Sequence, residues 1–590
     1  MKNWILLRKT ADYKGISEEL GIDPVAVRIM VNRGLTETEE MRDFLDEDSS
    51  SCLEYKGLPN IDKAIAAIQK AKELNLKCRV VGDYDADGVC ATTVLLKGLR
   101  LYGMDCDFCI PNRLLDGYGI NESIVSKAID DNIGFIITCD NGISAKAAVN
   151  LAVENGISVV VTDHHTITES EVPDKCDVLV NPQMKENEYP LKEICGAQVA
   201  LKVLCALFEG DNRFDLIIDE LKEFAAIATV TDVMPLVKEN RKLVKWMLKR
   251  LKNPINPGLK LLSEKCGISE RSGNAVCSDI GFRIGPCINA AGRIDVAETC
   301  VNLFMSKNEK ESDDISDRLL ALNEERKELT EKCVSMGIKE LLTNYPDNNY
   351  PDVIVLYLPD CHVSICGLVA GRIRERFYRP TLVFTDSNDG ITGSGRSIDE
   401  YNMIENIQKC ADILKKFGGH KVACGLSLEK EKLGELNERL NGYSELTEDD
   451  LTEKLLIDAN MPFGYVSFGL INDLERLEPF GIKNPTPVFA LKDLLLVKAR
   501  RFGNDGNHLI VTVRDNSNEV RDLKLWRRAD EFIQFLKEGF GDDISDIIYS
   551  ENSKAVMERD IRLTISYYPS VNVYRGNTTI DFTVKDYKLT

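Results

Sequence analysis

The chain has 590 residues, a formal net charge of −21 and a hydrophobic content of 44%. A chain of this length is too large for one hydrophobic core, so three or four domains are expected. The acidic balance argues against nucleic-acid binding over the whole surface but allows a local basic groove. No apolar run approaches the roughly 18 residues of a membrane span, and the N-terminus is too weakly apolar for a secretory signal. Together with eighteen scattered cysteines, which are typical of reduced thiols, this predicts a cytoplasmic protein.

The first part of the chain predicts helices followed by an α/β region. Residues 1 to about 50 have a helical pattern. From about residue 60, amphipathic helices alternate with the short apolar strands "CRVVG", "CDFCIP", "GFIITCD", "ISVVVTD" and "VLVNP". This alternation predicts a doubly wound parallel sheet. Such sheets bind ligands beyond the carboxyl ends of their strands.

The remaining chain predicts two further folded regions. Residues 200 to about 345 are mostly helical and end in a long charged helix that would connect two lobes. A smaller α/β region begins at "DVIVLYL", and short strands from about residue 486 onwards indicate a small OB-like β-barrel. The predicted division is an N-terminal helical segment (1–50), an α/β domain (51–240), a helical region with the connecting helix (241–345), a smaller α/β domain (346–445) and a C-terminal barrel domain (446–590).

The stretch "VVGDYDADG" places Asp83, Asp85 and Asp87 at alternate positions, as at the start of a calcium-binding EF-hand loop. An EF-hand needs a preceding helix and a glutamate at the twelfth position of the loop. Here a predicted strand precedes the aspartates, and the twelfth position is Val94. The sequence therefore argues against an EF-hand, and the three carboxylates need another explanation.

Acidic or imidazole groups also follow other apolar runs. "FIITCD" ends in Asp140, "VVVTDHH" ends in His164 and His165, and "ATVTD" ends in Asp232. A single aspartate at a strand end is usually a helix N-cap, but four such positions with a histidine pair favour one shared site. Carboxylates with an imidazole suit Mn²⁺ or Mg²⁺ better than zinc. Two such cations can hold a phosphoryl group and activate a water molecule.

These residues resemble a known group of enzymes. "DYDADG", "CDNG", "TDHH" and "TDVMPL" are similar to the successive motifs of the DHH superfamily of phosphoesterases. Further stretches resemble the RecJ family of single-stranded-DNA exonucleases, namely "PNRLLDGYG", "GFRIGPCINAAGR", "GLVAGRIRERFYRP", "GSGRSI", "FGGHKVACGL" and "LEPFGIKNPTPVF". The resemblance covers nearly the whole chain in the same order, and the combination is highly specific.

The resemblance implies a DHH domain, a DHHA1 domain after the connecting helix and an OB-like barrel. The implied catalytic residues are Asp140, His164 and His165. The implied metal ligands, for two ions of Mn²⁺ or Mg²⁺ bridged by Asp140, are Asp83, Asp85, Asp87, Asp140, His164 and Asp232, of which Asp83 either coordinates or orients. The implied substrate-binding residues are Arg113, Asn289, Arg293, Arg372, Ser394 and Arg396, together with a loop formed by Gly418, Gly419 and His420.

The resemblance also implies an activity, which is 5′-to-3′ hydrolysis of single-stranded DNA to 5′-mononucleotides in DNA repair and recombination. The implied partners are single-stranded DNA, a single-strand-binding protein and a RecQ-type helicase, with no membrane and with a monomeric chain. One alternative is a DHH phosphodiesterase for short oligonucleotides or cyclic dinucleotides, which usually lacks a C-terminal β-domain. The other is a non-catalytic DNA-binding relative, which usually loses the carboxylates.

Four positions depart from the family pattern. Cys361 stands where the family has a tryptophan, and Cys287 where it has an arginine that would contact substrate phosphate. Ser364 and Lys483 each stand where the family has a glycine. None of the four is an implied metal ligand, so these departures bear on substrate affinity and end recognition more than on hydrolysis.

Overall fold

The computed structural model describes residues 2–113, 116–271, 273–549, 553–574 and 576–590. Residues 114 and 115, in the "PNRLLDGYG" motif, lie outside the described residues. The strands are, in chain order, β1 (Asn3–Leu6), β2 (Cys78–Val81), β3 (Cys106–Cys109), β4 (Phe135–Cys139), β5 (Ser158–Thr162), β6 (Val178–Val180), β7 (Ile354–Tyr357), β8 (Thr381–Ser387), β9 (Gly390–Arg396), β10 (Leu414–His420), β11 (Ala423–Leu428), β12 (Lys454–Ile457), β13 (Ala459–Asn460), β14 (Phe489–Phe502), β15 (His508–Arg514), β16 (Val520–Leu525), β17 (Arg562–Tyr574) and β18 (Asn577–Leu589).

Helices cover most of the middle of the chain. In chain order they are α1 (Tyr13–Leu20), α2 (Pro24–Asn32), α3 (Thr38–Leu45), α4 (Ile61–Glu73), α5 (Ala86–Leu101), α6 (Glu122–Asp130), α7 (Lys146–Glu154), α8 (Gly196–Leu207), α9 (Phe214–Thr231), α10 (Lys238–Arg250), α11 (Pro257–Lys265), α12 (Cys277–Asp279), α13 (Gly285–Ile294), α14 (Glu298–Met305), α15 (Glu309–Asn344), α16 (Cys366–Phe377), α17 (Met403–Gln408), α18 (Leu433–Gly442), α19 (Phe468–Arg476), α20 (Ala529–Phe540), α21 (Ile544–Tyr549) and α22 (Ser553–Glu558).

The first α/β region contains a parallel sheet with the strand order β3-β2-β4-β5-β6. Helices α5, α6 and α7 connect successive strands, and β2 and β4 are buried along their full length. Apolar and β-branched residues dominate both strands because helices cover both faces of the sheet. The doubly wound parallel sheet predicted from the sequence is confirmed.

The helical region ends in α15, a continuous helix of 36 residues, as the sequence predicts. Its buried residues recur every three or four positions, as expected for one helical face. Helices α11, α13 and α14 pack against α15, and α16 of the second α/β region does so as well. Gly337 permits a close approach of α16, because a Cβ atom there would lie 2.9 Å from Ile373 Cδ1.

The second α/β region contains a mixed sheet with the order β10-β11-β9-β8-β7, in which only β7 and β8 pair in parallel. The predicted smaller α/β region is confirmed. The predicted loop at Gly418–His420 is wrong, since these residues end strand β10 and pair with Ala423–Gly425 of β11. Two adjacent glycines usually favour a turn, but here pairing with β11 decides the conformation.

The C-terminal strands β14, β15, β16, β18 and β17 form a closed barrel, because β17 also pairs with β14. The predicted β-barrel is therefore confirmed. Aromatic rings fill its interior, where Phe463, Tyr567 and Phe582 have centroids 5.2 to 5.5 Å apart. Such ring pairs contribute to stability beyond the area that they bury.

The N-terminal segment packs with the C-terminal barrel. The helical expectation for residues 1 to about 50 is incomplete, because β1 pairs in parallel with β12, and that partner is far away in sequence. Helix α2 also buries Ala26, Val27 and Met30 in the core cluster of the barrel. The chain forms two compact units, one of residues 1–47, 235–238 and 454–590, the other of residues 48–234 and 239–453. The five-part domain division stays a prediction.

The structure bears on two expectations drawn from hydropathy and composition, which concern membrane-spanning segments and the state of the cysteines. Within the described ranges, no helix is both long enough and apolar enough to cross a membrane. All eighteen cysteines lie in these ranges as free thiols, as the sequence predicts. Burial raises the pKa of many of them, for example that of Cys205 to about 12, so these thiols stay protonated and unreactive.

A buried ion pair joins α2 to the strands of the same compact unit and gives a first prediction. Arg33 donates to both oxygens of Asp458 at 2.7 and 3.1 Å, and the Val488 amide donates to Asp458 at 3.0 Å. Asp458→Ala leaves Arg33 buried without its partner, so the free energy of unfolding should fall by about 3 kcal/mol. Urea denaturation measures this. Glu19→Ala, which removes the exposed partner of Arg42, should change it by less than about 1 kcal/mol, and equal effects would contradict the prediction.

Candidate active site

The aspartate loop follows β2 and begins helix α5. Asp85 is the N-cap of this helix, because its Oδ1 accepts from the amides of Asp87 at 2.9 Å and Gly88 at 3.0 Å. The N-cap interpretation is therefore also correct for Asp85. Gly88 is required here, since a Cβ atom would lie 2.5 Å from the Asp83 carbonyl oxygen. A strand precedes the loop, as expected, so the loop is not an EF-hand.

Asp87 is held by the N-terminus of a second helix, α8. Its oxygens accept from the amides of Gly196 at 2.6 Å and Ala197 at 2.8 Å. Free amides and the helix dipole at an N-terminus stabilise a negative charge. A Cβ atom at Gly196 would lie 2.5 Å from Asp140 Cβ, so this glycine brings α8 against the next acidic residue.

Asp140 follows β4 and has a strained backbone. Its φ of +60° lies in the left-handed region, which non-glycine residues rarely adopt. The residue is 2% exposed, and its carbonyl oxygen accepts from the Tyr118 hydroxyl at 2.8 Å. Backbone strain of this kind persists where the surrounding structure enforces it, and it concentrates at functional sites.

His164 lies among three carboxylates. Its Nε2 is 3.1 Å from Asp140 Oδ1 and 3.6 Å from oxygens of Asp87 and Asp232. Burial lowers the pKa of His164, so the imidazole is neutral near pH 7. A neutral ring nitrogen can point a lone pair at this space, as the carboxylates do.

Several polar atoms of this cluster have no hydrogen-bond partner among the described residues. They are Asp83 Oδ2, Asp140 Oδ1, His164 Nε2 and Asp232 Oδ2, all of them buried. Burial and repulsion from neighbouring aspartates raise the pKa of Asp83 and Asp140, and they raise that of Asp232 to about 9. Converging buried acceptors without donors are costly. Cations bound within the cluster would satisfy these atoms, so the residues present fit Mn²⁺ or Mg²⁺.

The geometry defines three sets of atoms that could hold a cation. Within each set the ligand atoms lie within 4.8 Å of one another. The sets are Asp83 with Asp85 and Asp140, Asp87 with His164 and Asp232, and Asp140 with His164 and His165. Asp140 belongs to two of them, and Asp83 has a free buried oxygen for coordination.

His165 differs from His164 because it is paired with a carboxylate. Its Nδ1 lies 2.7 Å from Asp163 Oδ1, and its ring nitrogens are 3.2 and 3.3 Å from the Tyr118 hydroxyl. Burial opposes protonation, but the hydrogen bond to Asp163 raises the pKa of His165 to about 9. The ring is thus held in one orientation beside the carboxylate cluster.

A cavity of about 280 Å³ opens beside the carboxylates. Arg113, Asn289 and Arg293 line it together with the aspartate loop. Asn289 accepts from the Ala86 amide at 3.0 Å and so holds that loop. Arg293 donates to the Ser364 carbonyl oxygen at 2.7 Å. The site therefore combines buried carboxylates with arginines that face the same space.

A second cavity, of about 340 Å³, lies against the mixed sheet. Ser394, Lys416 and Phe417 line it, and Arg113 borders both cavities. Arg396, at the end of the same strand as Ser394, is accommodated by Gly367, where a Cβ atom would lie 2.7 Å from Arg396 Nη2. Burial lowers the pKa of Arg396, and the nearby Arg113 contributes to the shift.

Comparison with known proteins places this site in a family. The model of the DHH family N-terminal domain matches residues 77–229, that of the DHHA1 domain residues 351–445, and that of the RecJ OB domain residues 457–586. A protein of Salmonella typhimurium, named single-stranded-DNA-specific exonuclease RecJ, is 31% identical over 98% of both chains. The chain belongs to the RecJ family. RecJ of Bacillus subtilis is 34% identical over 88% of this chain, but the match spans 65% of that longer relative.

Solved structures of RecJ agree with this assignment. RecJ from Thermus thermophilus in complex with Mn²⁺ superposes with a TM-score of 0.80 at 26% identity, over 99% of this chain and 79% of that one. An exonuclease RecJ bound to manganese is 33% identical, with a TM-score of 0.56, and covers 67% of this chain and 96% of that one. The family therefore includes structures that hold Mn²⁺, the ion type that the carboxylate cluster fits.

The structure brings together most, but not all, of the residues expected from the RecJ resemblance. The six expected ligands and His165 form one cluster, and Asp232 reaches it from the C-terminal end of helix α9 rather than from a strand. Arg372 is on α16 with a 71% exposed side chain. Gly418, Gly419 and His420 are exposed on edge strand β10 and do not line either cavity. Their roles, like those of the other site residues, stay predictions.

The positions that depart from the RecJ pattern are mostly buried. Cys287, Cys361 and Ser364 are at most 4% exposed, and the Ser364 carbonyl contacts Arg293. Lys483 has a φ of +61°, a conformation that glycine adopts without strain. The lysine therefore occupies a position at which a glycine would be the unstrained residue.

Two residues that are not among the predicted site residues contact the catalytic candidates. Tyr118 touches both Asp140 and His165, and Asp163 accepts from the His164 and His165 amides at 2.7 and 3.1 Å. Asp163 lies inside the "TDHH" motif, where its carboxylate signalled a role, and Tyr118 lies in "DGYG". A single tyrosine has no characteristic spacing in sequence, so the contacts of Tyr118 become visible only in the folded structure.

Cation binding can be measured without activity. Saturating Mn²⁺ should raise the unfolding temperature of this RecJ-family chain, because binding to the folded state alone is stabilising. Asp140→Asn and His164→Ala should remove most of this rise, and excess chelator should reverse it. Differential scanning calorimetry measures the effect, with Glu169→Gln, an exposed carboxylate paired with Lys185, as the control. An unchanged rise in Asp140→Asn would show that the ion binds elsewhere.

Proposed function

We propose that this RecJ-family chain is a divalent-metal-dependent exonuclease that degrades single-stranded DNA from its 5′ end to 5′-mononucleotides. The observation that carries the proposal is the convergence of buried, unpartnered carboxylate oxygens with a neutral histidine beside a cavity that arginines also line. Negative groups that need cations lie next to positive groups that need anions. A phosphodiester with bound Mn²⁺ or Mg²⁺ satisfies both.

Two cation positions follow from the ligand sets. Asp83, Asp85 and Asp140 would hold one ion, and Asp87, His164 and Asp232 would hold the other, with Asp140 between them. When bound, two such cations neutralise charge on the phosphate oxygens and lower the pKa of the attacking water. The N-terminus of α8 holds the Asp87 carboxylate in place. The N-cap hydrogen bonds hold the Asp85 carboxylate, and the strained backbone of Asp140 sets the position of its carboxylate.

The remaining residues bind and orient the substrate. Arg113 and Arg293 hold phosphate oxygens in the first cavity, and Ser394 with Arg396 holds the 5′-terminal phosphate in the second region. His165, oriented by Asp163, donates a hydrogen bond to an oxygen of the scissile phosphate. Asn289 acts indirectly by holding the aspartate loop. The 5′ direction is supported by the resemblance of these motifs to the family.

The wider role follows from the same proposal. The DHH and DHHA1 regions, predicted at 51–240 and 346–445, form the catalytic cleft, and the barrel at 446–590 binds the incoming strand, as OB-folds do. Gly418–His420 are exposed on the same sheet as Ser394 and would contact the strand there. The chain acts as a monomer in DNA repair and recombination, with a single-strand-binding protein and a RecQ-type helicase as partners.

End-labelled strands test the direction and the chemistry. With Mn²⁺, a 5′-labelled single strand should release labelled mononucleotide in the first turnovers, while a 3′-labelled strand should shorten progressively. Asp140→Ala should lower kcat by about 10³-fold or more because it removes the shared ligand, whereas Glu169→Gln should match the wild type. Activity only from the 3′ end, or only on duplex, would contradict the proposal. A preference for dinucleotides over long strands would instead favour a short-oligonucleotide phosphodiesterase.

A further inference from the structure

Three arginines lie on three separate helices, and one of them borders the first cavity. Arg293 is on α13, Arg326 on α15 and Arg372 on α16. Arg293 borders the cavity, Arg326 is half-buried, and the Arg372 side chain is 71% exposed. Two of the guanidinium groups are therefore partly buried, and the third is exposed.

Arg326 has few partners for a half-buried guanidinium. Its Nη2 donates to Asn323 Oδ1 at 3.0 Å, and its Nε is buried without a hydrogen-bond partner among the described residues. Within the same residues, no carboxylate oxygen lies within 4.0 Å of Arg326 or of Arg293. Asn323 in turn donates to Cys287 Sγ at 3.5 Å, which ties the α15 pair to the helix that carries Arg293.

Electrostatic repulsion between these arginines contributes to lowering the pKa values of two of them. Burial lowers the pKa of Arg326, and Arg372 contributes to this shift. Burial also lowers the pKa of Arg293 to about 10, with further contributions from Arg113 and Arg326. Arg372 is exposed and lies 3.8 Å from Glu375, but Arg293 and Arg326 are half-buried cations that repel each other and lack a carboxylate partner in the described part of the chain. Such a pair is unfavourable unless an anion joins it.

We propose that Arg326, between Arg293 and Arg372, forms a second phosphate subsite that binds a phosphodiester of the single strand beyond the scissile one. The subsite rests on the proposed function, since a nucleic-acid strand supplies phosphates at regular intervals along such a row. Arg326 lies on the connecting helix α15, and Arg372 lies on α16 of the second α/β region. A phosphate bound by both side chains would therefore contact two structural regions. It is a substrate-positioning residue, with the bidentate guanidinium geometry that phosphate favours.

Salt-dependent binding tests the charge role. In an Asp140→Asn background, which prevents hydrolysis, Arg326→Ala should weaken binding of a long 5′-phosphorylated oligodeoxythymidylate roughly tenfold. The slope of log K against log salt should fall in magnitude by about 0.7, the value for one lost contact to a single strand. Arg326→Lys should keep the slope because it keeps the charge. Arg318→Ala is the matched control on the same helix, since Arg318 is already paired with Asp295.

Substrate length separates a subsite from a structural role. In the otherwise wild-type chain, Arg326→Ala should raise the KM for the long strand roughly tenfold and leave hydrolysis of a 5′-phosphorylated dinucleotide within about twofold. An unchanged salt slope, or an equal loss on both substrates, would overturn the subsite. If the wild type hydrolyses neither substrate with Mn²⁺, the proposed function itself fails, which is a different result.

Discussion

Mutual repulsion among buried carboxylates is the constraint on which the catalytic half of this molecule depends. Aspartates and a neutral histidine direct unsatisfied or repelling lone pairs into one small space. Their raised pKa values record the cost of that arrangement without a counter-charge. Polyvalent cations would relieve this repulsion, so the feature that is costly in the bare protein is also the one that fits the cluster to bind metal.

Contacts from neighbouring helices and loops hold the acidic side chains together despite this repulsion. The aspartates and histidines lie in the loops after β2, β4 and β5. These loops meet at one edge of the sheet because the carboxyl ends of parallel strands lie on the same side. The N-terminus of α8 holds Asp87, and Gly196 lets that helix approach Asp140. Gly292 of α13 likewise leaves room for the aspartate loop, since a Cβ atom there would lie 2.0 Å from the Tyr84 carbonyl oxygen. Arginines that line the cavity place the opposite charge beside the acidic residues.

Local sequence was enough to predict much of the fold and the acidic cluster. Strand and helix periodicity predicted the parallel sheet, the long helix α15 and the barrel, and the positions of Asp83, Asp85 and Asp140 after apolar runs predicted the acidic cluster. What failed depended on partners distant in the chain. Strand β1 pairs with β12, and Gly418–His420 extend a strand only because β11 lies beside them. The contacts of Tyr118 likewise arise between elements whose proximity no single window of sequence encodes.

We propose that the buried acids form a binuclear cation site. Crystals soaked in Mn²⁺, with data collected for anomalous scattering at the manganese edge, test it most directly. The two ligand sets predict two strong peaks, one at Asp83, Asp85 and Asp140 and the other at Asp87, His164 and Asp232. A single peak at other residues, or no peak within coordination distance of Asp140, would contradict the claim.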